Sequence, residues 1–315
     1  MLLPLVQRSY GTQKERAQSQ TRLSGHDAAA VMAAMSRTVY RRGMSVSDHL
    51  QWPSTLPATH AAFLQSLFGR LQQDARFVGG LAAGSYLTDT MDRFSDLDLV
   101  IVVEEPAYAA VSSEREALAG SLGRLVASFT GEHVGEPRLL ICLYEEPLLH
   151  VDLKFVTLDD LAERVEDPAV LWQRGGRVER ALAAGTAAYP EPDAGWLERR
   201  FWVWVHYTAT KIGRGELFEA LHLLDYLRST VLGPLGLQKA GARPSGVRRV
   251  ESGAPELARR LEATVAKYEA ADCLRALHAC VDVYRWLRAA AAPVPSAVEL
   301  AVMAYLGELP RCTEP

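Results

Sequence analysis

The sequence predicts an α+β protein: a small mixed β-sheet with helices, followed by an α-helical bundle. Three observations predict it. Between Phe77 and Tyr189, short apolar runs alternate with stretches at helical spacing. A break carrying Pro190, Pro192 and Gly195 cannot continue a helix. Beyond that break, every long segment repeats its apolar residues at helical intervals. With 315 residues, 49% hydrophobic and 23% charged, the chain is long enough for two modest domains and too apolar for general disorder.

The elements follow in chain order. Residues 1–50 mix Ser, Gln and Arg and read as a loosely ordered N-terminal extension with one short helix, Asp27 to Met35. The sheet-bearing domain is expected over residues 51–190 and the bundle over 191–315. Ala62, Phe63, Leu67, Phe68 and Leu71 recur at helical spacing within Thr59 to Gln73. Phe77 to Ala83 and Asp96 to Val103 read as strands, and Ala107 to Phe129 as a helix. Only Glu145, Glu146 and Pro147 separate the strands Arg138 to Tyr144 and Leu148 to Phe155, which implies an antiparallel hairpin. Thr157 to Val165 opens on Thr-Leu-Asp-Asp, the cap and acidic first turn of another helix. The bundle helices are expected at Trp196 to Ile212, Glu216 to Leu232, Pro255 to Ala271, Cys273 to Ala291 and Ser296 to Leu306, with a basic loop from Gly233 to Gly253.

Charge narrows the function. The net charge of −4 conceals a partition, because residues 77–194 hold 9 basic against 21 acidic side chains. A surface this acidic repels a phosphate backbone and disfavours a long nucleic acid, while metal ions and cationic small molecules suit it. The longest stretch without Asp, Glu, Lys or Arg, His49 to Gly69, contains Pro53 and Pro57 and is a poor membrane span. Met1 to Val6 is too short for the apolar region of a secretory signal, and the four cysteines show no ligand spacing. A cytoplasmic protein with cysteines used for packing is expected.

The chemistry is concentrated in Gly84-Ser85, ten intervening residues, and Asp96-Leu97-Asp98-Leu99. On a strand, Asp96 and Asp98 project to one face and Leu97 and Leu99 to the other. Two carboxylates this close repel each other unless a cation lies between them, and Mg²⁺, which selects a few carboxylates plus water and phosphate oxygens, is the expected occupant. In His150-Val151-Asp152-Leu153-Lys154-Phe155, alternation puts Asp152 on one face with His150 and Lys154. If that strand lies beside the Asp96 strand, Asp152 completes a three-carboxylate cluster of the kind used for in-line displacement at phosphorus. Gly84 and Ser85 would offer backbone N–H groups and a hydroxyl to phosphate oxygens.

These motifs, GS-x10-DLDL and a later Asp in HVDLKF, resemble the polymerase β-type nucleotidyltransferase superfamily, which includes the aminoglycoside nucleotidyltransferases. The resemblance covers residues 77 to 155 well and the helical remainder more loosely. It implies Mg²⁺-dependent transfer of a nucleoside monophosphate, AMP first, from an NTP such as ATP to a hydroxyl of a small, aminoglycoside-like acceptor. By the same resemblance Gly84 and Ser85 bind the triphosphate, Asp96 and Asp98 the metals, and Asp152 a metal and the attacking hydroxyl. Several antibiotic-modifying members carry an Arg three residues after the Ser, and here that position is Thr88, so Arg93 or a bundle residue must replace the charge. Lys211 is the first candidate for that phosphate contact and Glu219 for a general base. His150 and His206 read as hydrogen-bonded structural histidines, and Phe201, Trp202, Trp204 and Tyr207 as mostly core. Two other readings stand beside this one: a protein-adenylylating minimal nucleotidyltransferase of the antitoxin type, and a non-catalytic nucleotide-binding module.

Overall fold

The computed structural model describes residues 52–288 and 296–309. The expected helix at Asp27 to Met35 lies outside them. The chain divides into two compact units, Met1–Ala188 and Tyr189–Pro315.

In the first unit six strands form one sheet in the order β3-β4-β5-β2-β1-β6. They are β1 (Phe77–Ala82), β2 (Leu97–Val103), β3 (Leu125–Gly131), β4 (Glu136–Tyr144), β5 (Leu149–Val156) and β6 (Ala169–Gln173). The β2–β5 pairing is parallel and the other pairings are antiparallel. The mixed sheet of the α+β prediction is therefore present, and β4 and β5 form the expected hairpin. Helix α1 (Ala58–Gln72) lays Phe63, Leu64, Leu67, Phe68 and Leu71 into a core with Leu97, Leu99, Val151, Leu153 and Phe155. Helix α2 (Tyr108–Gly120) adds Val111 and Ala119 to the same core. A smaller cluster on Val78, Leu81, Val102 and Val156 is completed by Val178 of helix α3 (Arg177–Ala183).

Two expectations need correction here. The predicted helix over Ala107 to Phe129 ends at Gly120, and Leu125–Gly131 is instead an edge strand whose Val126 and Phe129 are exposed. The Thr157 to Val165 helix is a single turn, Asp159–Ala162, because one Asp160 carboxylate oxygen takes both the Thr157 N–H at 2.8 Å and its hydroxyl at 3.0 Å, which closes the turn. Strand β6 and α3 had no counterpart in the sequence reading; β6 is half-buried along its whole length, so no alternation marks it.

Glu136, at the start of β4, pairs with Arg138 of its own strand (2.7 Å) and, across to the neighbouring strand, with Lys154 of β5 (2.7 Å). Burial alone would raise its carboxyl pKa, but those two cations outweigh it and hold the group at about 2. A depressed pKa stabilises the fold above the unfolded value and loses that contribution as pH falls towards the folded value. The stability advantage of the wild type over Glu136→Gln is therefore expected to be constant above pH 4.5 and to shrink between pH 4.5 and about 2, as read by paired thermal melts.

The second unit is helical: α4 (Ala194–Gly213), α5 (Leu217–Leu227), α6 (Gly233–Lys239), α7 (Val250–Gly253), α8 (Pro255–Glu262), α9 (Ala270–Arg288) and α10 (Ala297–Glu308). Asp193 caps α4 by accepting from the Trp196 N–H at 2.9 Å. Trp202, Phe201, Leu224, Leu277 and Cys280 fill the core, and Cys142, Cys273 and Cys280 are free and buried, in agreement with a packing role. Two helix boundaries differ from expectation. The start of the Gly233 to Gly253 loop is helix, reached from α5 through one π-helical stretch, Arg228–Leu232. Gly236, read as a loop glycine, is a contact glycine: a Cβ there would lie 2.3 Å from a methyl of Leu257. The helix from Pro255 stops at Glu262, and Arg275 ties down the following link by donating to the carbonyls of Ala263 and Val265. Among the described residues no helix is long and apolar enough to cross a membrane.

Candidate active site

The site is built where β1 turns over the start of β2. The parallel register sets Leu97 against Val151, Asp98 against Asp152 and Leu99 against Leu153. In parallel strands opposed residues leave the sheet on the same side, so the two carboxylates are neighbours while the leucines and Val151 go into the core below. Both aspartates are half-buried, as is Asp96, which lies two residues before Asp98. The strand pairing on which the expected cluster depended is present, and it joins Asp98 to Asp152 most directly.

The Gly-Ser turn is tied to this strand. The Ala83 N–H donates to the Asp98 carbonyl at 2.9 Å, and residues Gly84–Thr88 then form a short 3₁₀ turn. Gly84 has φ +62°, and a Cβ on it would fall 2.1 Å from Asp98 Oδ2. Only glycine meets both demands, the left-handed backbone and the close approach to a carboxylate. For Gly84→Ala we expect a loss of roughly 1–2 kcal/mol from the backbone alone and a displaced Asp98. Thermal melts and turnover should then both fall, and unchanged turnover would contradict the placement of Asp98 in the site.

Ser85 is buried, and its carbonyl accepts from Thr88 Oγ1 at 3.4 Å. Tyr86 is also buried, and its hydroxyl has no hydrogen-bond partner among the described residues. An unsatisfied buried hydroxyl costs stability, so Tyr86→Phe should raise the melting temperature or leave it unchanged, and a lower one would reveal a partner for that hydroxyl. The loop that follows is held at both ends. Asp89, itself at φ 49°, accepts from Ser54 Oγ (3.1 Å) and from Thr55 Oγ1 (3.0 Å), while His60 Nε2 lies 2.8 Å from the Ser95 carbonyl. Thr88 bonds Thr90 at 2.7 Å, and the Arg93 guanidinium lies over the exposed Phe94 ring at 4.4 Å.

Lys211 and Glu219, expected in separate roles, are partners of each other within the helical unit. The Lys211 ammonium is paired with Glu219 and with Glu216 at 2.6 Å, and lies 5.1 Å from the Tyr207 ring. Hydrogen bonds donated to Glu216 and Glu219 push its pKa above the ordinary lysine value, and the same ammonium lowers that of Glu216. His150 Nε2 lies 2.9 Å from Asp152 Oδ1, and His206 packs on Tyr305 at 4.7 Å, so neither histidine is without a neighbour. One carboxylate was missed: Glu166 Oε1 accepts from the Gly84 N–H at 3.4 Å across 82 residues of sequence, a separation at which no local pattern could have signalled it.

The donor set, carboxylate oxygens with a hydroxyl and backbone amides, is the chemistry of a hard cation and phosphate. Among the described residues no three His, Cys, Asp or Glu side chains are gathered into a finished metal cage. The backbone supplies the adjacency of Asp98 and Asp152, and one oxygen of Asp152 is engaged by His150.

The acidic pair on adjacent parallel strands and the Gly-Ser turn both fall within the stretch that the family comparison matches. Residues 68–164 match the family model described as a nucleotidyltransferase domain. The chain thus carries a nucleotidyltransferase domain, and its enzyme class is that of a nucleotidyltransferase. Among solved structures it is similar to an aminoglycoside 6-adenyltransferase from Bacillus subtilis, at 14% identity over 78% of this chain and 96% of that one, with a TM-score of 0.33. It is also similar to a nucleotidyltransferase-like protein from Exiguobacterium sibiricum, at 12% identity over 71% of this chain and 74% of that one, with a TM-score of 0.31. No curated protein matches the sequence.

Proposed function

We propose that this protein transfers a nucleoside monophosphate, AMP first among the candidates, from an NTP to a hydroxyl of a small cationic acceptor. The observation that carries the reading is the opposition of Asp98 and Asp152 across parallel strands beside Gly84. Asp96, Asp98 and Asp152 would hold Mg²⁺, which when bound neutralises phosphate oxygens and favours in-line displacement. Gly84 and Ser85 would receive the triphosphate through backbone N–H and hydroxyl. Asp152 would accept from the acceptor hydroxyl and orient it towards the α-phosphorus. The new bond is acceptor oxygen to phosphorus, the α–β phosphoanhydride breaks, and pyrophosphate leaves with the electron pair. The acidity of residues 77–194, 21 carboxylates against 9 cations, suits a polycationic acceptor such as an aminoglycoside.

The test is incubation of the protein with each labelled NTP, Mg²⁺ and a panel of amino-sugar and neutral polyol acceptors. Acceptor-dependent pyrophosphate release, strongest with ATP and with cationic acceptors, is expected. No release with any pairing would remove the small-molecule reading.

A further inference from the structure

The Gly84 N–H, the amide that the proposed function assigns to the triphosphate, already has an anionic acceptor. Glu166 Oε1 lies 3.4 Å from it. We propose that Glu166 is a resident competitor for the triphosphate, a carboxylate that occupies the phosphate-binding amide and must withdraw before an NTP can be bound. The inference rests on that functional reading and adds to it the residue that limits nucleotide affinity.

The geometry supports a presented carboxylate. The segment that carries Glu166 is fixed on both sides. Arg164, whose side chain is only 12% exposed, donates to the carbonyls of Leu161 at 3.1 Å and Gly185 at 3.0 Å, and it pairs with Asp167 at 2.6 Å. Gly185 packs so closely on Ala162 that a Cβ would lie 2.3 Å from its carbonyl oxygen. Around Glu166, Val165 and Asp167 are exposed while Glu166 is half-buried and reaches Gly84. With the segment held in this way, release of the amide falls to the Glu166 side chain rather than to the backbone that carries it. One N–H serves one strong acceptor, and a carboxylate beside a polyphosphate is repelled, so the two anions exclude each other there.

The proposal is tested by binding as well as turnover. Inorganic tripolyphosphate and ATP, each with Mg²⁺, are titrated calorimetrically into the wild type, Glu166→Gln and Glu166→Ala, with thermal melts to confirm that the variants fold. Glu166→Gln keeps a neutral acceptor and removes the charge, while Glu166→Ala removes both. The expected order of affinity for tripolyphosphate is Ala, then Gln, then wild type, with Ala about five- to tenfold tighter, the scale of one charge-assisted hydrogen bond. In turnover assays KM for the NTP falls by the same factor. Equal or weaker binding by both variants, with ATP still bound by the wild type, overturns this proposal alone. Binding of neither ligand by any of the three proteins overturns the nucleotide reading with it.

Discussion

Asp98→Asn should reduce nucleotidyl transfer by about 10³-fold or more, the several kcal/mol of charge stabilisation that a bound cation gives a phosphoryl transition state. The same change should not lower the stability of the metal-free protein. Asp98 stands opposite Asp152 in the β2–β5 register, both half-buried, and like charges directly opposed on a sheet cost about 0.2–1 kcal/mol. Asparagine keeps the shape and removes one of the charges. Melting temperature in chelator should therefore stay level or rise, while the rise expected of the wild type with Mg²⁺ should be absent, because a ligand stabilises only a state that binds it. A variant that loses activity but keeps its Mg²⁺-dependent melting shift would show that the ion is held elsewhere. One that keeps activity within tenfold of the wild type would remove Asp98 from the site.

How much of this was legible in the sequence differs residue by residue, for physical reasons. The carboxylate pair was readable because its signal is local: period-two alternation puts Asp96 and Asp98 on one side and the leucines on the other, and the same rule orients Asp152. Only the adjacency of the two strands had to be supposed, and the short 145–147 connection made a hairpin of β4 and β5 without stating where β2 would lie. Edge strands were less visible. Strand β3 exposes Val126, Ala127 and Phe129, so its apolar residues do not alternate with burial, and its spacing passes for helix. Strand β6 meets β1 through an irregular register, so no regular pattern distinguishes it. Glycines in 233–236 suggested a loop because open space and close packing both select glycine, and a sequence does not say which. The contacts at Glu166 depend on chain crossing, where one-dimensional patterns have no purchase. Lys211 lies between these cases: its glutamates are five and eight residues on, across the Gly213–Gly215 turn, and their identity was visible while their pairing was not.

The helical unit should be weakest at Glu299, whose substitution by Ala is expected to cost about 3 kcal/mol, near the lower end for breaking a buried ion pair. Glu299 is 1% exposed in the first turn of α10, where its own N–H is capped by Ser296 at 3.3 Å. Its carboxylate receives Arg285 at 2.9 Å and Arg288, both from α9. Arg288 in turn reaches Glu198 of α4 at 2.9 Å, and Glu198 also accepts from Trp202 at 3.1 Å and from the Tyr284 hydroxyl. The buried Glu299 carboxylate thus ties α10 to α9, and Arg288 carries the link on to α4 through Glu198. Without Glu299, Arg285 is exposed enough to rehydrate, but the Arg288 side chain is 11% exposed and keeps only part of its compensation. A stranded charge, rather than the lost contact itself, sets the size of the effect. Removing the stranded partner as well should recover part of the loss, so Arg288→Met combined with Glu299→Met is expected to melt above Glu299→Ala, a non-additivity that neighbouring sites show and distant ones do not. Thermal melts of the wild type, the single variant and the double variant decide it. A Glu299→Ala protein within about 1 kcal/mol of the wild type, well under the ordinary cost of an unpaired buried charge, would mean that the network rearranges and that α10 is held by its apolar residues Val302 and Leu306 alone.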